Sequence, residues 1–248
     1  AGGGPGNEID LDEFDTEPNC YEQLIVWSPE DEQIIGGYRY IVCQKALSNG
    51  QEPNLSTAHY FDFSDQFIND YLPKTIELGR SWVQPAYQPS VNPRKGLYAL
   101  DNIWDGLGAL TVFNPSIEYF FGKVTMYPDY NTDCRDFLLH FMSYYFPDKE
   151  NLMQPKFPLE QNYNKEEFDS MLKGLNFKEG FKVLNQYART RGENIPPLVN
   201  IYMHLSSTMM TFGTAVNPDF GGVEETGIMV SIKDIYPEKK ERHLDTML

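Results

Sequence analysis

Residues 75–83 read TIELGRSWV, and the reading of this stretch decides the fold. Ile76, Leu78, Trp82 and Val83 suit a packed β-strand, whereas Glu77 and Arg80 are charges inside it. Strict alternation sends Glu77, Gly79 and Ser81 to one face and Leu78, Arg80 and Trp82 to the other, so the two charges point apart. Gly79 between them marks a candidate β-bulge, which shifts the alternation by one residue and brings both charges to one side. Such a bulge also splays the strand from its neighbour and opens a cleft in the sheet. An acid lining that cleft is partly desolvated, which raises its proton affinity toward the range of a general base. A structural ion pair and a catalytic site both remain open at this point.

Working outward, segments 22–27 (EQLIVW) and 34–42 (IIGGYRYIV) flank the polar SPEDEQ and read as a hairpin. Further strands are expected at 117–126, 211–216 and 226–232, the last two closing around NPDFGGVEE. Leu97, Leu100, Ile103, Trp104, Leu107 and Leu110 recur at helical spacing and predict a helix over 97–110. The same periodicity predicts helices over 133–146, 177–190 and 198–209, and another starting at Asn164, where Glu167 supplies a capping pair. Strands alternating with helices indicate an α/β protein with a mixed central sheet flanked by helices. A single domain over 7–248 is expected, with a helical insertion at about 150–197 between Pro-containing polar stretches. The opening AGGGPG reads as a tag-like or discontinuous start.

The formal net charge of −16 argues against a nucleic-acid partner, since phosphate backbones reward basic surfaces. Three scattered cysteines, Cys20, Cys43 and Cys134, form no CxxC and fit a reducing cytoplasm. No stretch approaches the roughly 18 apolar residues of a membrane span. His59, His140, His204 and His243 sit in no metal or triad spacing, so no metal is expected.

Taken as an ordered series, several segments resemble a known family. IELGRSWV is similar to the E-L-[SG]-R-x-x-V strand of acyl-homoserine-lactone synthases and ornithine-lipid N-acyltransferases, which share the GNAT fold. DEFD matches the family's D-x-[FY]-D, and the following hairpin ends in its G-x-[YR]-R pattern. LYALDNIWDGLGALTVFNPSIEYFFGKVTMYPDY resembles the hemolysin-like branch, and GTAVNPDFGGVEETGIMVSI its terminal strand pair. The likeness runs over about residues 8–236, with the 150–195 region the least specific.

The resemblance implies a GNAT N-acyltransferase that moves a fatty acyl group from acyl carrier protein, or acyl-CoA, to the α-amine of a small amino acid in ornithine- or glycine-lipid synthesis. It implies Glu77 as the base and Arg80 as a partner that orients it or binds a carboxylate or the carrier arm. Asp12 and Asp15 shape the acceptor pocket or anchor Arg80, and the backbone from Leu78 to Ser81 supplies oxyanion donors, with Ser81 at the substrate. RKGLYA at 94–99 stands where the family binds phosphopantetheine or pyrophosphate in a loop before a helix. Arg94, Lys95 and Gly96 are the candidates there, although their spacing departs from [QR]-x-x-G-x-[GA], which leaves coenzyme A in doubt. No tightly bound cofactor is implied. An acidic carrier protein would meet Arg94 and Lys95, joined by Lys123 and Arg135, against the overall negative field. Peripheral contact at the inner membrane face is a further expectation. The alternatives are a noncatalytic lipid or carrier-protein binder on the same scaffold, or a homoserine-lactone-type synthase.

Overall fold

The polar turn between the first two β-branched runs closes on itself: Ser28 Oγ donates to Asp31 Oδ2 at 3.1 Å, and the Asp31 N–H returns to Ser28 Oγ at 3.2 Å. The structure, a computed structural model, describes residues 12–16, 21–47, 52–88, 91 and 93–243, with the backbone alone at 93–101 and 242–243. A short helix α1 (Glu13–Thr16) precedes the hairpin strands β1 (Glu22–Ser28) and β2 (Gln33–Val42). Strands β3 (Phe61–Phe63) and β4 (Thr75–Val83) follow, then α2 (Pro93–Phe113), β5 (Tyr119–Met126), α3 (Thr132–Tyr145) and β6 (Met153–Pro155). Helices α4 (Lys165–Leu172), α5 (Phe177–Arg189) and α6 (Pro197–Met203) lead to β7 (Met210–Asn217), β8 (Val223–Ser231) and α7 (Pro237–His243).

Six strands form one sheet in the order β1-β2-β4-β5-β8-β7. Only β4 and β5 pair in parallel, as the α2 crossover between them permits; every other neighbour is antiparallel. One face packs Tyr38, Ile76, Leu78 and Phe120 against Ile103, Leu107 and Leu110 of α2. Farther along that face, Val124, Ile228 and Val230 join Phe137 and Phe141 of α3. Phe168 and Leu172 of α4 and Leu184 and Ala188 of α5 are buried in that same core, so the 150–197 region shares the sheet's core. The opposite face carries Ile41, Phe121 and Met229 under Phe14, Leu55, Phe67 and Leu72, all from short segments. Among the described residues no helix is long and apolar enough to cross a membrane.

Three local expectations need correction. The helix expected at 97–110 starts earlier, at Pro93, so the RKG triplet occupies its first turn and is not a loop before it. Proline is preorganised for the first helical position, where its missing N–H costs nothing. The helix expected over 198–209 stops at Met203. Beyond it, Ser206 Oγ accepts the Thr208 N–H at 3.1 Å, and Ser206 bridges Ile235, so local bonds replace the helical ones. Asn164 does cap α4 by accepting from the Glu167 N–H, but the reciprocal box forms one helix later, between Asn176 and Glu179.

β4 is where the sheet changes character. It registers with β5 only from Thr75↔Tyr119 to Leu78↔Gly122, while β5 stays paired to β8 as far as Met126↔Glu224. On its other side β4 pairs Arg39↔Gly79 and Gly37↔Trp82, which spends one more residue on β4 than on β2. That extra residue is the expected bulge, and the left-handed position in it is Arg80, at φ 46°, not Gly79. Where the strands part, the backbones come close. A Cβ on Gly122 would sit 2.4 Å from the Leu78 carbonyl oxygen, a rigid backbone atom. Gly122→Val is expected to cost about 1–3 kcal/mol through this clash, which at a chain this size lowers Tm by roughly 3–10 °C. Thermal unfolding followed by circular dichroism checks it, and an unchanged Tm would show that the strands already stand apart at Gly122.

Candidate active site

The parting of β4 from β5 opens a cleft of about 1290 Å³ that reaches both faces of the sheet. On the helix-covered face its walls are largely apolar, with Trp104, Leu107, Phe120, Leu205, Ile228 and Val230. On the other face they are polar, with Asp12, Asp15, Arg39, Ser56, Lys123 and Glu225. Glu77 and Gly79 lie at the junction, and a Cβ built on Gly79 would meet nothing within 4 Å.

Glu77 is 0% exposed, yet among the described residues no cation pairs with it. Its Oε1 accepts from Tyr21 Oη at 2.7 Å and from Ser56 Oγ at 2.6 Å, and its Oε2 accepts from Thr57 Oγ1 at 2.7 Å. Three hydroxyls thus satisfy a buried carboxylate, as burial of such a group demands. Tyr21 Oη also accepts the Ser56 N–H at 2.7 Å, which fixes the direction in which the phenol donates. Burial, and then the Glu77 charge, push the Tyr21 phenol well above its ordinary range, so it stays a donor. The Cys43 thiol behind it is pushed up by the same two causes in the same order.

Arg80 turns to the acids of the early acidic run and away from Glu77. Its Nη2 lies 2.9 Å from Asp12 Oδ2, and its Nη1 lies 3.6 Å from Asp15 Oδ2. Arg39, on the same face as Ile41 and in register with Gly79, reaches the same pair: Nη1 lies 2.7 Å from Asp12 Oδ1 and 3.2 Å from Asp15 Oδ2. Two guanidinium groups and two carboxylates therefore form one cluster, with Arg39 also stacked 4.8 Å from the Tyr21 ring centroid. Burial raises the Asp12 carboxyl, but the Arg39 hydrogen bond and charge and the Arg80 charge outweigh it and hold it below the usual range. Burial likewise works against the Arg39 charge, and Asp12 and Asp15 more than restore it.

Across the cleft, Lys123 Nζ meets Glu225 Oε1 at 2.6 Å and lies 4.9 Å from the Tyr60 ring centroid. Thr125 Oγ1 donates to Glu225 Oε2 at 2.7 Å, and Asn217 Nδ2 to Oε1 at 3.3 Å. Arg135, the other cation expected to attract a carrier, bonds Asp136 and Glu224 at 2.8 and 2.6 Å and is mostly buried. Neither Lys123 nor Arg135 is a solvated surface charge, because each neutralises a buried carboxylate. Ser81 is exposed in the cleft, and its hydroxyl meets the Tyr38 phenol on the apolar face. Arg94, Lys95 and Gly96 fall where only the backbone is described, so their side chains lie outside the described residues.

The structure thus brings Asp12, Asp15, Arg80 and Glu77 to one region and adds four residues to which sequence reasoning gave no role. Arg39 stands in the quoted G-x-[YR]-R pattern, and strand alternation from Ile41 would have put it on the Glu77 face. Tyr21 precedes a strand, and Ser56 and Thr57 begin a 3₁₀ turn with no periodic signal. Only the fold shows them converging.

Comparison with known proteins agrees with this architecture. Residues 1–94 match the acetyltransferase (GNAT) domain. The whole chain is similar to the glycine Nα-acyltransferase of Phocaeicola vulgatus, at 49% identity over 249 residues, or 76% of that protein's length. It is also similar to the glycine Nα-acyltransferase of Bacteroides thetaiotaomicron, at 51% identity, spanning 100% of this chain and 74% of that one. No solved structure matches the chain. A strand that bulges and parts from its parallel neighbour thus lies in a chain about half identical along its whole length to two N-acyltransferases, and the chain belongs to the GNAT acyltransferases.

Proposed function

We propose that the protein transfers a fatty acyl group from a thioester donor to the α-amine of glycine, giving an N-acylglycine for aminolipid synthesis. The observation that carries this reading is the two-sided cleft with Glu77 at its junction. An acyl chain suits the apolar side, and a small zwitterion suits the polar side. The acceptor's identity is taken from the two relatives' names.

The chemistry asks for three things. The acceptor amine is an ammonium at neutral pH and must lose a proton before attack, and Glu77 is the base. The tetrahedral oxyanion needs donors, and the β4 edge from Gly79 onward, unregistered with β5, offers backbone N–H groups. The donor's arm carries amides that can line that same edge, as an added strand would. Its phosphate would then lie toward the start of α2, where helix amides favour anions and Arg94, Lys95 and Gly96 stand. Acyl carrier protein and coenzyme A share this arm, and both are donors within the proposal. The cluster of Asp12, Asp15, Arg39 and Arg80 fixes the bulge that holds the edge open.

Incubating the purified protein with an acyl thioester and single amino acids, with mass spectrometry of the products, tests the reading. N-acylglycine should appear; no acylated amino acid from either donor would overturn it. Glu77→Gln should slow transfer by about 10²–10⁴-fold while leaving binding of a non-reactive thioether donor analogue intact, and retained turnover would remove Glu77 from the role of base. Arg80→Lys keeps the charge but loses the planar fork that spans Asp12 and Asp15. It is expected to lower kcat/KM by roughly tenfold or more, a loss of about 1.4 kcal/mol in transition-state stabilisation. Steady-state kinetics with the acceptor varied check it, and wild-type values would make the fork dispensable.

A further inference from the structure

Glu77 lies at the cleft's junction and yet exposes no surface of its own, which raises the question of how a proton reaches its carboxylate. Among the described residues that carboxylate has three partners, all hydroxyls within 2.7 Å. Thr57 is 1% exposed and Tyr21 4%, and neither lines the cleft. Ser56, at 9% exposed, does line it, and its hydroxyl donates to Glu77 Oε1 at 2.6 Å, the shortest of the three bonds. A serine hydroxyl can accept on its lone pairs while donating its own proton. The other donor to Oε1, Tyr21, is already occupied on its acceptor side by the Ser56 N–H.

We propose that Ser56 is the catalytic proton relay between the acceptor amine and Glu77. The inference rests on the amide-forming reading and deepens it. One ammonium N–H bond breaks as a bond to Ser56 Oγ forms, and the original Oγ–H bond breaks as Glu77 Oε1 gains that proton. This leaves a neutral amine with its lone pair, a neutral serine and a protonated Glu77. Attack on the thioester carbon then forms the C–N bond. Collapse breaks the C–S bond, and the surplus proton on nitrogen leaves with the sulfur as a thiol. Glu77 returns its proton to solvent through the same hydroxyl, so the sum is ammonium plus thioester giving amide, thiol and one proton.

The relay predicts a hierarchy that a supporting hydrogen bond does not. In single-turnover acyl transfer to glycine, Ser56→Ala should fall by about 10²-fold or more, because the one hydroxyl partner of Glu77 that lines the cleft among the described residues is lost. Ser56→Thr restores the hydroxyl and should recover to within roughly threefold of wild type. Thr57→Val removes a bond of nearly the same length, 2.7 Å, to the same carboxylate from a residue that does not line the cleft, and should lose at least about tenfold less than Ser56→Ala. Equal losses in Ser56→Ala and Thr57→Val, a Ser56→Thr as slow as Ser56→Ala, or a Ser56→Ala at the wild-type rate would each overturn the relay. An inactive Glu77→Gln beside a fully active Ser56→Ala would sink the relay alone, whereas an active Glu77→Gln would remove the base assignment with it.

Discussion

Everything at this site follows from a parallel strand pair that is held for only four residue pairs, Thr75↔Tyr119 to Leu78↔Gly122. Beyond that point each strand is kept in line by its outer neighbour, β4 by β2 as far as Val83↔Gly36 and β5 by β8 as far as Met126↔Glu224. The parting therefore gives up few hydrogen bonds, and the backbone groups it frees face an open cleft where water or a substrate can satisfy them. The bulge adds the local bend that turns a short pairing into a gap. Gly122 and Gly79 serve opposite needs within it: one lets the backbones touch at the last pair, and the other leaves the first unpaired position open.

The charged cluster is what keeps the bulge from relaxing. A helix of four residues such as α1 has no stability of its own. It stays in place because Phe14 is buried and because Asp15 within it and Asp12 just before it are held by Arg39 and Arg80. Arg39 and Asp15 are nearly buried, where an ion pair roughly breaks even against desolvation, and Asp12 and Arg80 are partly exposed, where one contributes little, so the gain is geometric more than energetic. Four side chains from three segments meet in this cluster, and Arg80 reaches it from a left-handed conformation that a regular strand would not accept.

Much of this was legible in the chain itself. The pattern of 75–83 gives a strand with its observed limits, and a glycine flanked by opposite charges signals the bulge. Asp12 and Asp15 gained a role only from family resemblance, since composition alone makes them a solvated acidic run. Arg39 sat in plain view but looked like one more alternating strand residue, because its significance depends on which strand lies beside β2. Ser56 and Thr57 could not be read at all. They reach Glu77 across about 20 residues of sequence with no repeating pattern between, and a hydroxyl in a turn looks like any other polar loop residue. The Pro93 start of α2 was the opposite failure: helical periodicity begins at Leu97, whereas the helix is set by proline geometry one turn earlier.

The bulge also decides the chemistry of the acid, not only its position. A guanidinium against Glu77 would favour its charged form and weaken it as a proton acceptor. With Arg80 drawn off to Asp12 and Asp15, the partners of the Glu77 carboxylate among the described residues are hydroxyls. Hydroxyls satisfy a buried carboxylate and can still pass protons to it. The nearby thiol of Cys43 and phenol of Tyr21 are both pushed up by burial and by Glu77 itself, so neither competes as a proton source. One inserted residue in one strand thus separates two arrangements that a regular strand would confuse: guanidinium groups held by Asp12 and Asp15, and a Glu77 carboxylate whose partners among the described residues are hydroxyls.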